Sequence, residues 1–378
     1  MSLWSLRGAI SIACMSIGLA STAFAQSGAQ GFIYTGGKAD MAYDAQRGIV
    51  YISGTDDVRR YDLAHQTYLD PIHVGPLTVG ADVGTRTVGL DISPDGNTLA
   101  IGLPDRAYSR AMASYVGMVD LNNNQLSMVE LHRYDYYEGG TNRVVFDSAG
   151  NLLISSAGFG SQVLRRYDPV SGSAGILGWL SEDSHLAASA NHEVIGIAET
   201  LSNGPWGYYH TGDLGYSSQH GTYNGGTYWD NQAIAVSPDG GQFAIITSAG
   251  LLLGDKDQLA FRMGEYGGTI PLGVAYSPVN GHLLIPLSET NYIGEYDAQT
   301  LEELHRYEVP GQFGGDSWPF HDGYTKVASD GSYVFSFLDD GIAYVALVPE
   351  LATLWQTLLG LAVIAGVRHL RARRSHLI

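Results

Sequence analysis

A short pattern of residues recurs seven times along the chain and constrains the fold more than any other feature. In its clear form it is an apolar segment, a Ser-Pro turn that closes on glycine, and a second apolar segment. The clear copies lie at residues 89–102, 233–247 and 273–286. A more divergent copy lies at 144–155, and weaker copies begin at residues 41, 185 and 327. Because the apolar runs are short and rich in β-branched residues, they predict β-strands rather than helices.

Most copies continue into a third and a fourth apolar segment, which predicts four strands in each unit. The third strand usually ends on an aspartate, at Asp62, Asp120, Asp168, Asp255 and Asp297. An aspartate at that position accepts hydrogen bonds from backbone N–H groups two residues on and so starts a turn, and we expect these five residues to be turn makers. Four short strands in about 40 to 50 residues is the period of a propeller blade, so the sequence predicts an all-β, seven-bladed β-propeller.

The two ends of the repeat array complement each other. The seventh copy has three strands and no fourth, whereas residues 31–36 (GFIYTG) form a lone predicted strand ahead of the first copy. Pairing of this strand beside Phe32 and Ile33 with the strand near Tyr344 would complete the last blade, close the ring and hide the sheet edges.

The repeat resembles the YVTN-type propeller repeat of bacterial surface proteins. The resemblance spans residues 41–347, is strong in the second, fifth and sixth units and is poor in the fourth. It implies the propeller fold, and it implies no shared catalytic residues.

Residues 1–25 have the three parts of a secretory signal peptide. Arg7 precedes an apolar run at residues 9–19, and residues 23–25 (AFA) form a cleavage site before Gln26. Lipidation at Cys14 is the alternative reading of this segment. Because Cys14 is the one cysteine of the chain, the mature protein is expected to have no disulfide, no thiolate metal site and no cysteine nucleophile.

Residues 348–378 resemble the PEP-CTERM sorting tail, which an exosortase-type membrane transpeptidase recognises. The signature residues are Val348, Pro349 and Glu350, followed by an apolar run at 351–367 and a terminal group of arginines. Leu351 stands where that family has a second proline. A plain C-terminal anchor helix is the alternative, and under either reading the basic end stays cytoplasmic and the body of the protein, residues 26–347, lies outside the inner membrane of a Gram-negative bacterium.

The acidic charge excludes nucleic acid as an expected partner. Without the arginines of the two ends, the chain has 15 basic residues against 38 acidic ones, a formal net charge of −23. Such a surface repels phosphate backbones.

Long, aromatic loops are the expected ligand-binding surface. Three of them, at residues 132–142, 202–231 and 311–322, should reach the same face of the propeller. Aromatic rings stack on the apolar faces of sugars while carboxylates accept their hydroxyls, so we expect a glycan or a protein ligand. The candidate ligand-binding residues are Tyr136, Tyr137, Glu138, Trp206, Tyr228, Trp229, Asp230, Trp318, His321 and Asp322. Packing over the ends of the sheets is the competing role for each ring.

The sequence offers no recognisable catalytic motif. The Gly-x-Ser-x-Gly and His-Glu-x-x-His patterns do not occur. His210, His220 and His321 could join Asp230 or Asp322 in a metal site, and calcium or another divalent cation is left open. No cofactor is expected, and a monomer is expected.

We therefore interpret the chain as an exported, envelope-exposed binding or scaffolding module for extracellular polysaccharide or a surface protein. The alternative is a propeller-type hydrolase, lyase or metal-dependent lactonase with a site at the mouth of the channel.

Overall fold

The computed structural model describes residues 30–37, 40–74, 89–104, 113–132, 138–158, 161–181, 184–200, 205–219, 231–264, 269–314 and 323–347. Within these ranges the regular structure consists of β-strands, with no helix. Among the same residues, none belongs to a helix that could cross a bilayer. The predicted signal peptide and the predicted C-terminal tail and helix lie outside the described residues.

The chain divides into two compact units. Gly31–Tyr344 contains the sheets, and the second unit combines Met1–Gln30 with Val345–Ile378. Of the second unit only Gln30 and residues 345–347 are described, and Gln30, Val345 and Ala346 belong to β-strands.

The strands form seven four-stranded sheets, which confirms the predicted seven-bladed all-β propeller. In each of the first six blades four consecutive strands pair antiparallel in chain order. Blades one to three comprise β2 (Met41–Asp44), β3 (Ile49–Ser53), β4 (Asp57–Asp62) and β5 (Thr67–His73); β6 (Leu90–Ile92), β7 (Thr98–Leu103), β8 (Ala113–Asp120) and β9 (Gln125–His132); and β10 (Glu138–Phe146), β11 (Leu152–Gly158), β12 (Ser161–Asp168) and β13 (Ser173–Ser181). Blades four to six comprise β14 (His185–Ala188), β15 (Val194–Ala198), β16 (Trp206–His210) and β17 (Ser217–Gln219); β18 (Asn231–Val236), β19 (Phe243–Thr247), β20 (Gly250–Gly254) and β21 (Leu259–Met263); and β22 (Ala275–Tyr276), β23 (Leu283–Pro286), β24 (Tyr292–Tyr296) and β25 (Glu303–Glu308).

The seventh blade is completed by the N-terminal strand, as predicted. It consists of β26 (Thr325–Val327), β27 (Tyr333–Leu338) and β28 (Gly341–Ala346), with β1 (Gln30–Tyr34) bonded to β28 on the outer edge. The first blade also holds this end of the chain, because the Tyr68 hydroxyl donates to the Tyr34 carbonyl at 2.6 Å. Arg59 donates to the Thr35 carbonyl at 2.5 Å.

The Ser-Pro-Asp-Gly turn owes its sequence to its hydrogen bonds. In the second blade the Ser93 hydroxyl donates to Asp95 at 2.6 Å and accepts the Thr98 N–H at 2.9 Å. Gly96 follows with φ +72°, a left-handed conformation that glycine adopts without a steric cost. The fifth blade repeats this geometry at Ser237 and Gly240.

The five third-strand aspartates are turn makers, as predicted. Asp297 accepts the N–H groups of Gln299 at 2.9 Å and Thr300 at 2.7 Å, and these bonds hold the pKa of its carboxyl below the ordinary value. The other four accept a backbone N–H two or three residues on: Asp62, Asp120, Asp168 and Asp255.

The expectation of one long loop over residues 202–231 is wrong. The first part of this stretch forms β16 and β17, the outer strands of the fourth blade. The aromatic residues that suggested a loop pack instead against the fifth blade: the rings of Trp206 and Phe243 lie 5.1 Å apart, centroid to centroid. Only residues 220–230 remain as the connection to the next blade.

Apolar clusters between neighbouring blades form the core. One joins Met41, Val50 and Ile52 of the first blade to Phe335 and Phe337 of the seventh. Similar clusters fill the spaces between blades one and two, two and three, three and four, four and five, and five and six.

We predict that Gly341→Ala weakens ring closure. A Cβ at Gly341 would lie 2.2 Å from the Ile33 carbonyl oxygen in the partner strand β1, so β28 and β1 would have to separate. By the usual cost of overpacking, we expect the free energy of unfolding to fall by about 2 kcal/mol, measured by urea denaturation.

Gly175→Ala is the matched control, because a Cβ at this strand glycine would meet no atom within 4 Å. We expect a change within about 0.5 kcal/mol for this variant. Equal stabilities of the two variants would contradict the assigned closure.

Candidate functional site

The innermost strands of the blades surround a channel with a cavity of about 570 Å³. This volume lies within the range of small-molecule binding sites. In every repeat, the residue two positions before the turn between the first and second strands lines this channel. These residues are Ala42, Asp91, Val145, Ala187, Ala235, Ala275 and Lys326. Five of the seven are uncharged, and Asp91 and Lys326 are the two exceptions.

Lys326 organises one group of charges in the channel, which we call the lysine cluster: Lys326, Asp40, Arg143 and Tyr324. The Lys326 ammonium lies 2.7 Å from Asp40 Oδ1 and donates to the Met41 carbonyl at 2.7 Å. The other carboxylate oxygen, Asp40 Oδ2, accepts the Leu90 N–H at 3.0 Å and lies 3.5 Å from an Arg143 nitrogen. The cluster thus connects blades seven, one, two and three.

The lysine cluster keeps Lys326 charged. Burial, the largest influence, lowers the pKa of Lys326, but Asp40, Tyr324 and Asp91 together raise it above the ordinary value of 10.5. The Tyr324 ring also lies under both cations, with its centroid 5.4 Å from the Arg143 guanidinium carbon and 5.8 Å from Lys326 Nζ.

A second set of contacts, which we call the Phe146 bridge, comprises Asp91, Phe146 and His192 from blades two, three and four. Asp91 Oδ2 accepts the Phe146 N–H at 2.7 Å, and His192 Nδ1 lies 2.8 Å from the Phe146 carbonyl. Because a carbonyl only accepts, His192 must donate from Nδ1, which leaves Nε2 with a lone pair in the neutral ring. Burial raises the pKa of the Asp91 carboxyl, against the lowering influence of His192 and the Phe146 N–H.

His192 occupies the turn position that glycine holds in the other clear turns. Its φ is +58°, which is uncommon for a residue with a side chain. The bond from its imidazole to Phe146 stabilises this conformation from the neighbouring blade.

The opposite side of the channel is apolar. Blades four, five and six contribute mainly aliphatic side chains, which include Leu186, Ala188, Ile234, Val236 and Val274. The channel therefore has a charged side, from blades seven, one, two and three, and an apolar side.

Two of the predicted ligand-binding residues lie in the described part of the structure, and both are in the interior. The Glu138 carboxylate is 3% exposed; it pairs with Arg165 through two bonds, of 2.6 and 3.1 Å, and accepts the Ser156 hydroxyl at 2.7 Å. Trp206 is 2% exposed and packs on Phe243. Both are core residues of their blades. Trp206 has the packing role that competes with ligand binding for such rings. Glu138 forms a buried ion pair with Arg165, which the sequence did not indicate.

The other predicted site residues lie outside the described residues, and their roles stay predictions. They are Tyr136, Tyr137, Tyr228, Trp229, Asp230, Trp318, His321 and Asp322, together with the sorting residues Val348, Pro349 and Glu350. The topology does place the ends of their segments. Residues 133–137, 220–230 and 315–322 each join the outermost strand of one blade to the innermost strand of the next, so all three begin and end at the same end of the ring.

The channel residues were missed by sequence reasoning although the sequence carried a signal. Asp91 and Lys326 are charged at a repeat position where the other copies have uncharged side chains, and Lys326 is one of only three lysines in the chain. Among the described residues no group of three or more His, Cys, Asp or Glu side chains could hold a metal ion.

Two solved structures show the same fold at low sequence identity. A chain of "Crystal Structure of Mitotic Checkpoint Complex" matches with a TM-score of 0.60 and 13% identity, over 84% of this chain and 93% of that one. "Structure of Dos1 propeller" matches with a TM-score of 0.55 and 12% identity, over 79% of this chain and 75% of that one. No family model matches the sequence, and no curated protein matches it. At such identities the likeness establishes the propeller fold alone.

We predict that Lys326→Met destabilises the protein, because it leaves the buried Asp40 carboxylate without its closest cation. Breaking a buried pair from one side costs a few kcal/mol, so we expect a loss of about 2–4 kcal/mol in the free energy of unfolding. The raised pKa of Lys326 means that its contribution is present below pH 10.5 and is lost as the pH rises through the higher folded-state value. The variant and the wild type should therefore converge at strongly alkaline pH.

Lys256→Met makes the same substitution on an exposed turn and should change stability by about 0.5 kcal/mol or less. Asp40→Asn combined with Lys326→Met should recover part of the loss, because the unpaired charge is gone. Equal effects of the two single lysine variants would show that the lysine cluster has no stabilising role.

Proposed function

We propose that this propeller is a binding module for extracellular polysaccharide, exposed outside the inner membrane of a Gram-negative bacterium. The observation that carries the proposal is topological: the three aromatic segments 133–137, 220–230 and 315–322 start and finish at one end of the ring. They follow different blades, yet closure of the ring brings their flanking strands to a common surface. The propeller fold itself is consistent with a binding or scaffolding module.

The chemistry of these segments suits a sugar polymer. They contain Tyr137, Trp229 and Trp318 together with the carboxylates of Asp230 and Asp322. Tyr and Trp offer rigid, amphipathic rings that cover the apolar faces of sugars, while carboxylates accept sugar hydroxyls. A neutral or weakly charged polysaccharide is favoured because the acidic surface repels polyanions.

Export and surface display support the same function. Two segments would deliver the body of the protein to the envelope: the signal peptide at residues 1–25 and the PEP-CTERM-like tail with Val348, Pro349 and Glu350. The repeat itself resembles the YVTN-type repeat of bacterial surface proteins. An exosortase-like transpeptidase is the partner proposed for the tail, and an extracellular polysaccharide would then be the ligand within reach.

We predict that Trp229→Ala combined with Trp318→Ala abolishes most polysaccharide binding. Each stacked ring contributes of the order of 1–3 kcal/mol, so affinity should fall at least about tenfold. The measurement is a glycan array with the purified wild-type chain, followed by titration of the best ligand with each variant.

Trp179→Ala is the matched control for the loss of an exposed ring, because Trp179 is 46% exposed on the outer strand β13 and belongs to none of the three segments. It should bind like the wild type. Failure of the wild type to bind any polysaccharide, together with tight binding of a protein, would replace this proposal with the scaffolding role.

Cleavage of the signal peptide gives a separate prediction. Protein recovered from the cell envelope or the medium should begin at Gln26 by N-terminal sequencing, and Ala25→Arg should retain the longer form because the cleavage site needs small residues. A mature N-terminus at Cys14 would show lipidation instead.

A further inference from the structure

The Phe146 bridge leaves unused hydrogen-bond acceptors on two residues that line the channel. Asp91 uses Oδ2 for the Phe146 N–H, and no side chain of the described residues donates a hydrogen bond to its carboxylate. His192 uses Nδ1 for the Phe146 carbonyl, and within the same described part its Nε2 has no hydrogen-bond partner. Both residues line the cavity. Two acceptors from neighbouring positions of the lining call for a ligand that donates hydrogen bonds.

The cations of the channel are already engaged elsewhere. The Lys326 ammonium has Asp40, the Met41 carbonyl and the Leu90 carbonyl at 2.7, 2.7 and 3.4 Å. Arg143 faces the second Asp40 oxygen. Among the described residues no cation forms an ion pair or a hydrogen bond with Asp91, and burial outweighs the lowering influences of His192 and Lys326 on the pKa of its carboxyl.

The apolar side of the channel indicates what the rest of the ligand is like. Aliphatic side chains of blades four to six line the cavity on the side away from Asp40 and Lys326. A cavity of about 570 Å³ has room for a small organic molecule.

We propose that the channel binds a small molecule with a primary ammonium group on an apolar body. The ammonium donates to the Asp91 carboxylate and to His192 Nε2, and the apolar body packs against blades four to six. This site is independent of the aromatic segments and of the polysaccharide proposed above, so either proposal can fail without the other.

The energetics favour a cation over a neutral donor. A carboxylate that has lost most of its water without gaining a cation is costly, which is why burial raises the pKa of Asp91. An ammonium offsets that cost and gains a charge-assisted hydrogen bond, whereas a hydroxyl offers only the weaker neutral donor.

The test is titration of the purified full-length chain with 2-phenylethylamine by isothermal calorimetry. We expect saturable binding of the amine at neutral pH and at least about tenfold weaker binding of 2-phenylethanol, which lacks the charge. The trimethylammonium derivative keeps the charge but has no N–H donors, and it should also bind more weakly than the amine.

Asp91→Asn is the decisive variant, because asparagine can still accept the Phe146 N–H while the charge is removed. Its affinity for the amine should fall about tenfold or more, to the level of the alcohol. Asp44→Asn is the matched control: Asp44 also lines the channel but already pairs with Arg47 at 2.8 Å, so its loss should leave amine affinity within about twofold. Thermal melting of each variant checks that it is folded.

The pH dependence of the wild type tests the proposal without any variant. The titratable groups that act on Asp91 are His192 and Lys326. Burial raises the pKa of the Asp91 carboxyl, and its protonation removes the charge that binds the ammonium, so amine affinity should fall on acidification before the pH range of an ordinary aspartate is reached. The proposal is overturned if the amine gives no saturable heat at millimolar concentration, if the alcohol binds as tightly, or if Asp91→Asn and Asp44→Asn weaken binding equally.

Discussion

Hydrogen bonding between β1 and β28 is the interaction on which the rest of the structure depends. Six blades are made from consecutive strands and can form locally, but the seventh has its outer strand at the other end of the chain. Until the two ends meet, the seventh blade lacks a strand and the first has no neighbour on one side. Closure then fills the cluster around Met41, Phe335 and Phe337 and adds the bonds from Arg59 and Tyr68 to the incoming strand. A ring held in this way needs no disulfide.

The sequence predicts the sheets well because the repeat encodes local geometry. In each clear turn the serine and aspartate form specific hydrogen bonds and the glycine adopts a positive φ, so the pattern can be recognised wherever that geometry is kept. The pattern can no longer be recognised where a contact with another blade replaces the local hydrogen bonds of the turn. In the fourth blade His192 stands at the glycine position and is held by Phe146 of the preceding blade, and Trp206 is held in a strand by Phe243 of the following one. Neither contact can be read from residues near in sequence.

The candidate site was harder to predict for the same reason. Aromatic, glycine-rich segments predict exposed binding surfaces, because such surfaces have that composition. Trp206 belongs to a segment of the same composition, yet it is buried. Glu138 looked like a loop carboxylate, but Arg165 lies two strands away and meets it only once the third blade has formed. The channel charges would have emerged from an alignment of the seven copies by turn position, since Asp91 and Lys326 are the two charged residues in that column.

Ring closure and the charge pattern of the channel are linked through Lys326. This residue belongs to the last blade, and its ammonium bonds to Asp40 and to carbonyls of the first and second blades. Those partners come within reach only when the seventh blade lies beside the first, so the lysine cluster exists only in the closed ring and stabilises it. Because Lys326 is fixed on Asp40, it forms no ion pair with Asp91 and acts on that carboxylate only through its electrostatic field. The contacts that hold the ring closed are therefore the same contacts that leave one carboxylate of the channel without a cation.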